Sequence, residues 1–466
     1  MMQVFFSWSE ARRFYAIGLP IFVAQMAQTG MTLADTVMTG QYSAEAMAAV
    51  AVAGSVWGPL SLLGIGCLFA LPPLSAQCVG GGRPKEAAHL LRQGFWLTLG
   101  LNLVLLSFFY GISHRLGLFG LTPRMAALSG EYLRAIMWGL PGFMIFVNLR
   151  SFLEGFSRTR PAMIIGLLAL FVNVPCNYVL IYGKLGFPAM GAAGCGWAST
   201  LSYWFMAISM FFYICRDPQY QRLGPLFSPL FQRGDKPRCD VMLLLRLLRI
   251  GIPGALALFF EVALFACSAI LLAPLGATTV AGHQVAINYG AVIFMIPLSI
   301  SMTATIRVGH CLGAQQVERA RLVARTALIL ALGAALLIAA LTAVLRQQIV
   351  AVYTDDMIVA ALAAHLLLFV TGYQLVDALQ TTSIGILRGY NDTRCISVFC
   401  FLAYGVMGLP LGYLLGRTDA LTPAMGAPGF WIAYIVALGC AGCCYAVRLY
   451  WWHGLAPKDV LARVRR

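Results

Sequence analysis

This chain falls into runs of about twenty mainly apolar residues, separated by polar connections. Such runs lie near 15–38, 47–72, 90–112, 132–153, 162–182, 193–214, 248–273, 280–304, 324–345, 358–386, 396–416 and 427–449. A helix needs about 20 mainly apolar residues to cross the hydrocarbon of a bilayer. The pattern predicts an all-α integral membrane protein of about twelve transmembrane helices. The first run does not read as a cleaved signal, because it is long, contains Asp35 and leads straight into a second span.

With twelve spans, alternate connections fall on opposite sides of the membrane. About four in five of the Lys and Arg residues fall on one side, including Arg12, Arg13, Arg83, Lys85, Arg307, Arg319, Arg388 and Arg394. The other side holds Arg115, Arg124, Arg134, Lys184, Arg346 and Arg417. The positive-inside rule then predicts both termini in the cytoplasm.

The two halves of the chain resemble each other at an offset of about 233 residues. Ile17-Gly18-Leu19-Pro20 matches Ile250-Gly251-Ile252-Pro253, Gly80 to Ala87 falls over Gly313 to Ala320, and Leu153, Gly155, Thr159 and Arg160 meet Leu387, Gly389, Thr393 and Arg394. Six spans per repeat is an even number, so both repeats enter the membrane from the same face. The halves are therefore expected to be two six-helix lobes related by a pseudo-twofold axis along the membrane normal. The expected division is an N-terminal lobe at 1–214, a Pro-rich cytoplasmic linker at 215–243, a C-terminal lobe at 244–450 and a cytoplasmic tail at 451–466.

Composition agrees. Of 466 residues, 60% are hydrophobic and 11% charged, against about a quarter charged in soluble proteins. The net charge of +15 sorts by loop and forms no basic domain, so no nucleic-acid partner is expected. The thirteen cysteines lie mostly in apolar runs and read as small hydrophobes without a disulfide or metal framework. The histidines are scattered and form no His-Glu-x-x-His motif, so no enzyme is expected.

Acidic residues number seventeen, nearly all in loops, except Asp35, Glu261 and Asp377, with Glu154 near a helix end. A carboxylate at the bilayer centre costs about 2.5–3.5 kcal/mol on insertion scales. It persists where it lines a cavity, pairs or binds a cation. Glu261 lies twelve residues after Arg249, and Asp377 eleven before Arg388. Both are thus roughly 16–18 Å from the cytoplasmic edge, near the midplane. Two carboxylates at one depth can share a cation, and Tyr373, one turn before Asp377, adds an oxygen on the same face. The spacing reveals no cationic side chain in those two spans to neutralise them. Two carboxyls sharing a proton as structural glue is the plainer alternative. Asp35, about 33 Å along its helix from Arg13, fits the outer interface as well as a site. Gln25 and Gln28 lie mid-span, with Gln28 opposite Glu261 in the repeat. Asn173 and Asn177 are one turn apart, and Thr200 lies on the next span; these polar groups either line a site or join helices. Among many aromatic residues, Phe259, Phe260, Tyr289 and Phe294 could face a flat organic cation.

Several local motifs resemble the NorM/MdtK-like branch of the MATE (multidrug and toxic compound extrusion) transporters. They are Ala27-Gln28-Thr29-Gly30 with Asp35-Thr36-Val37-Met38, Asn173-Val174-Pro175-Cys176-Asn177-Tyr178, Gly194-Cys195-Gly196, Leu258-Phe259-Phe260-Glu261-Val262, Ala281-Gly282-His283-Gln284, Arg307-Val308-Gly309 and Leu387-Arg388-Gly389-Tyr390. The resemblance covers essentially the whole chain. It implies a secondary multidrug antiporter in a bacterial inner membrane, exporting amphipathic organic cations in exchange for H⁺ or Na⁺, with no other cofactor, as a monomer. Carried over residue by residue, it makes Glu261, Asp377, Tyr373 and Asp35 the cation-coupling set, the first three being the metal ligands if the ion is Na⁺. Gln28, Asn173, Asn177 and Thr200 become a first-lobe polar cluster, and Phe259, Phe260, Gln284, Tyr289 and Phe294 substrate-lining residues. Archaeal relatives carry an aspartate where Asn177 stands, a departure that argues against a proton mechanism confined to the first lobe. The alternative from the same superfamily, a lipid-linked oligosaccharide flippase, would need arginines to hold a pyrophosphate, and only Arg150 is placed for that.

Overall fold

The computed structural model describes residues 6–119, 121–223, 239–420 and 423–465. Among these residues there is no strand, and twelve helices are long and apolar enough to cross a membrane. They are α1 (Trp8–Tyr42), α2 (Ala44–Gly80), α3 (Pro84–Ser113), α4 (Pro123–Gly155), α5 (Arg160–Tyr182), α6 (Ala192–Arg216), α7 (Val241–Leu275), α8 (Ala277–Gly313), α9 (Val317–Ala351), α10 (Met357–Gly389), α11 (Thr393–Arg417) and α12 (Ala427–Gly454).

Local chemistry explains where they start and bend. Ser43 accepts from the Ala46 amide at 3.0 Å to open α2, and Asp356 from the Ile358 amide at 2.8 Å to open α10, each satisfying an orphan donor of a first turn. Pro84 and Pro123 start α3 and α4, where a missing N–H costs nothing. α2 breaks after Leu68, just ahead of Pro72-Pro73, and α11 carries a π-helical stretch, Phe401–Gly408, ahead of Pro410.

The duplication is written into the backbone. Gly82 and Gln315 both take positive φ, 70° and 60°, and so do Ser157 and Asn391, at 57° and 61°. The flanking hydrogen bonds match too. Arg83 N donates to Cys78 O at 2.9 Å and Gln316 N to Cys311 O at 2.8 Å, while Arg158 N to Leu153 O and Asp392 N to Leu387 O are both 3.0 Å. Gly191 and Gly426, also at positive φ, close a third equivalent pair of turns at an offset of about 235 residues. Side-chain-free contacts repeat as well. A Cβ on Gly155 would meet Ser75 at 2.5 Å, and one on Gly389 would meet Val308 at 2.8 Å, at matched places in the two halves. Small residues of this kind let membrane helices approach closely.

The chain divides into two compact units. One comprises Met1–Phe22 with Leu256–Arg466, the other Val23–Ala255. The borders fall inside α1 and α7, just after Pro20 and Pro253, residues that remove a helix hydrogen bond. The unit Val23–Ala255 has a core built around Leu71, Leu140, Phe146 and Phe152, joined by Leu247 and Ile250 from the start of α7. The other is centred on Tyr404, Phe430, Trp431 and Tyr434, joined by Phe14 from the start of α1. Of the expected linker 215–243, residues 224–238 lie outside the described residues. Before them, Tyr220 is buried against Phe152 and Phe156, and after them the Asp240 amide donates to Gln93 Oε1 at 3.1 Å.

Candidate functional site

Each unit buries carboxylates of its own. In the unit holding α8 to α12, Asp377 on α10 is 2% exposed and accepts from Thr381 Oγ1 at 3.3 Å. Tyr373 lies one turn before it, buried against the rings of Phe265 and Trp431, whose centroids are 6.2 and 5.6 Å away. Glu261 on α7 is half-buried, and Asp377 and Tyr373 both lie within its electrostatic reach. The spacing reading that no cation could answer these acids needs correction. The half-buried guanidinium of Arg388, at the end of the same helix as Asp377, also lies within electrostatic reach of Glu261. Counting residues along one helix placed Arg388 at the membrane edge, but a long side chain can reach back along its helix toward the interior.

In the other unit Asp35 is 8% exposed, with both oxygens held. Asn177 Nδ2 donates to Oδ1 at 2.6 Å and Ser199 Oγ to Oδ2 at 2.6 Å. The same amide nitrogen donates to Asn173 Oδ1 at 3.1 Å, and the Cys195 thiol lies against the carboxylate. All these partners are neutral, so Asp35 is solvated by dipoles that can hold either a charge or a proton. Of the expected polar cluster, Asn173 and Asn177 come together here. Thr200 instead donates to the Ala135 carbonyl at 2.8 Å, and Gln28 is half-buried on α1, its main-chain carbonyl accepting from Thr32 at 3.4 Å. Sequence reasoning missed Ser199, the neighbour of Thr200. On a helix the two hydroxyls point about 100° apart, and only the partner helix decides which faces Asp35.

The aromatic candidates are dispersed. Phe259 is exposed and its ring centroid lies 6.0 Å from that of Phe260, which contacts Phe401. Gln284 is exposed and donates to Asn288 at 3.1 Å, whereas Tyr289 is bonded to Thr342 at 2.6 Å. Phe294 does line a small cavity with Tyr373 and Asp377. Arg150 is turned inward, its Nε donating to Glu154 at 2.8 Å and Nη1 to Gln25 Oε1 at 3.4 Å. A guanidinium answered in this way is a poor pyrophosphate receptor.

A further carboxylate escaped the sequence reading. Glu10, 2% exposed in the first turn of α1, accepts from Arg307 at 2.7 Å, Arg319 at 2.9 Å and Arg13 at 3.1 Å. Its position near the chain start, beside loop-like charges, gave no signal, because two of its partners, Arg307 and Arg319, lie about three hundred residues away.

The sequence model of the MatE family matches this chain twice, over residues 20–179 and 253–414, one match in each half of the duplication. The chain is 44% identical over 460 residues to the multidrug resistance protein MdtK of Edwardsiella ictaluri, covering 98% of this chain and 99% of the relative. It is likewise 44% identical to the MdtK of Yersinia pseudotuberculosis over 97% of its length. Among solved structures, the eukaryotic MATE transporter AtDTX14 superposes with a TM-score of 0.85 at 18% identity, covering 98% of each chain. An outward-facing MATE family transporter of the MOP superfamily superposes at 0.82 with 17% identity, covering 98% of this chain and 97% of the other. Two repeats matched by one family model, a two-lobe helical fold and near-full-length relatives at 44% identity make this chain a member of the MatE family, a multi-pass protein of the bacterial inner membrane.

Proposed function

We propose that the protein is a multidrug antiporter, exporting amphipathic organic cations in exchange for H⁺ or Na⁺ by alternating access. The observation that carries this reading is the burial of Asp377 beside Tyr373 and within electrostatic reach of Glu261. Carboxylates are kept at such depth where a cation passes. A drug cation, held by charge and aromatic faces, and the coupling ion both interact with Asp377 and Glu261. Each therefore disfavours the other, and that shared charge is what couples their movements. Asp35, with its neutral donors, serves as the first lobe's own acid. Both termini on the cytoplasmic side, the lobes 1–214 and 244–450 with their linker and tail, and a monomeric state complete the proposal. The flippase reading rested on Arg150, which is bonded to Glu154 and Gln25 instead.

The test is ethidium accumulation by energised inverted vesicles, with and without Na⁺, for the wild type, Glu261→Gln and Asp377→Asn. Wild-type vesicles are expected to accumulate dye and both variants to lose most of the activity. Normal transport by both variants would remove the site from the proposal.

A further inference from the structure

Where α5 and α6 run together in the unit Val23–Ala255, they leave an open groove of about 490 Å³ near the end of α6. Ile165 of α5 lines one side. Ser209, Phe212, Tyr213 and Arg216 of α6 line the other, at the i, i+3, i+4 and i+7 spacing of one helical face. The groove is thus mainly apolar along α6 and cationic at its end. Ile164 and Leu168 of α5 are exposed beside it, as are Ile208 and Phe212 of α6. On helices that cross a bilayer such side chains meet lipid tails, so the groove is open to an occupant from the membrane.

The charges at the end of the groove leave one cation over. Asp217 is answered on both oxygens, Oδ2 by Arg158 Nη1 at 3.0 Å and Oδ1 by the Gln219 amide at 2.9 Å. The same Arg158 guanidinium lies against the Tyr213 hydroxyl. Arg216 is exposed and has no carboxylate partner among the described residues. The last carbonyls of α6 are engaged as well. Tyr213 O accepts from the Asp217 amide at 3.2 Å and Cys215 O from Gln221 Nε2 at 2.8 Å, which masks the negative end of the helix. A free guanidinium at the foot of such a groove is complementary to a phosphate with an alkyl chain behind it. A zwitterionic headgroup would bring an ammonium to a place whose carboxylate is already taken.

The duplicated scaffold does not demand this opening. At the offset of about 235 residues set by Gly191 and Gly426, Tyr213 and Arg216 correspond to Arg448 and Trp451. There the chain covers its own position. The guanidiniums of Arg448 and of Arg463, the latter from the short helix Pro457–Arg465, lie 4.2 and 4.6 Å from the centre of the Trp451 ring.

We infer that the groove between α5 and α6 binds an anionic phospholipid, its phosphate on Arg216 and one acyl chain along Ile165 and Phe212. The lipid holds the end of α6 at the level of the headgroups, and the site is independent of the exported substrate.

The experiment is native mass spectrometry of the purified protein in detergent, titrated with phosphatidylglycerol, phosphatidylcholine or inorganic phosphate. Thermal melting of each variant without lipid checks folding. The first phosphatidylglycerol should bind about fivefold more tightly than the first phosphatidylcholine, or better. Arg216→Gln should erase that preference, and Arg216→Lys, which keeps the charge but not the planar fork, should keep part of it. Ser209→Trp, which fills the groove, should weaken both lipids. Equal affinity for the two lipids in the wild type overturns the site, and so does an undiminished preference in Arg216→Gln. If Arg216→Gln fails to fold, unaltered lipid binding by Ser209→Trp overturns it. Displacement of the lipid by an equal concentration of inorganic phosphate also overturns it, since a bare anion site would then account for the binding.

Discussion

The two halves share a backbone to the level of single turns, yet they place their acids at different points of it. Where the second half has Glu261 and Asp377, the first has Gln28 and Phe143. Where the first has Asp35, the second has Ser268. The surroundings have changed with the acids. Around Asp35 stand Asn173, Asn177 and Ser199; the matching places around Ser268 are Gly408, Gly412 and Tyr434. A Cβ on Gly412 would meet Phe430 at 2.9 Å, so the room that holds amides in one half is filled by rings in the other. The reverse holds at the Tyr373 position. Its counterpart is Gly139, where a Cβ would meet Tyr203 at 2.8 Å and the Thr200 hydroxyl at 2.9 Å. A duplicated scaffold has thus been specialised by moving one polar pocket in each copy and packing the vacated place with aromatic bulk.

The harshest way to break this comparison is to put the first half's acid into the second. Ser268 is fully buried and donates to the Leu264 carbonyl at 2.7 Å. Ser268→Asp would place a carboxylate among rings without the two amides that serve Asp35. The expected loss is about 3 kcal/mol or more, read as a fall in the melting temperature in detergent and in folded yield. If the variant melts like the wild type, the polar shell around Asp35 is not what makes an acid tolerable there. The converse removes that shell. Asn177→Leu strips Asp35 Oδ1 and Asn173 Oδ1 of their donor at one stroke. A cost of about 2–3 kcal/mol is expected, together with loss of dye export. Full export with a normal melt would show that Ser199 alone is enough for Asp35.

How much of this was legible in the chain depends on the distance over which each feature is set. The spans follow from runs of apolar residues, and the duplication from turn motifs such as Gly80 to Ala87 against Gly313 to Ala320. Helix rise alone put Glu261 and Asp377 at one depth, and the fold brings them into electrostatic reach. What was not legible depends on facing. Ser199 and Thr200 are equally polar neighbours, and only the approach of α1 and α5 selects the former. Arg388 counted as an edge residue because residue spacing gives the depth of a backbone atom and not of a guanidinium at the end of a long stem.

A milder comparison concerns how the first and seventh helices begin. Glu10 is tied to Arg307 and Arg319, whereas the matching residues of the other half are Leu243, Leu74 and Glu86. One helix start is held by ion pairs and the other by apolar packing, with Leu247 and Ile250 buried in its core. Glu10→Gln keeps the shape and removes the charge, leaving the nearly buried Arg307 unanswered. A loss of about 2 kcal/mol in detergent is expected, shrinking at high salt as Arg319 is screened. The mirror change, Leu247→Ala, should cost a similar amount or more through the cavity it leaves, but without any salt dependence. Equal salt responses in the two variants would erase the distinction between the helix starts.

The gentlest probe inserts the second half's acid into the first. Gln28 is half-buried, and Gln28→Glu keeps its shape, displaces no aromatic wall and, by taking up a proton, carries no charge into the membrane. A stability change under about 1 kcal/mol is expected. Because Phe143 stands where Asp377 would have to be, the new glutamate has no second carboxylate with which to share a cation. Na⁺ binding by Gln28→Glu should therefore match the wild type in stoichiometry, counted by ²²Na⁺ at saturation. A second bound ion per molecule would show that a single acid at this level is enough to make a site, and that the pairing of Glu261 with Asp377 is incidental to holding the ion.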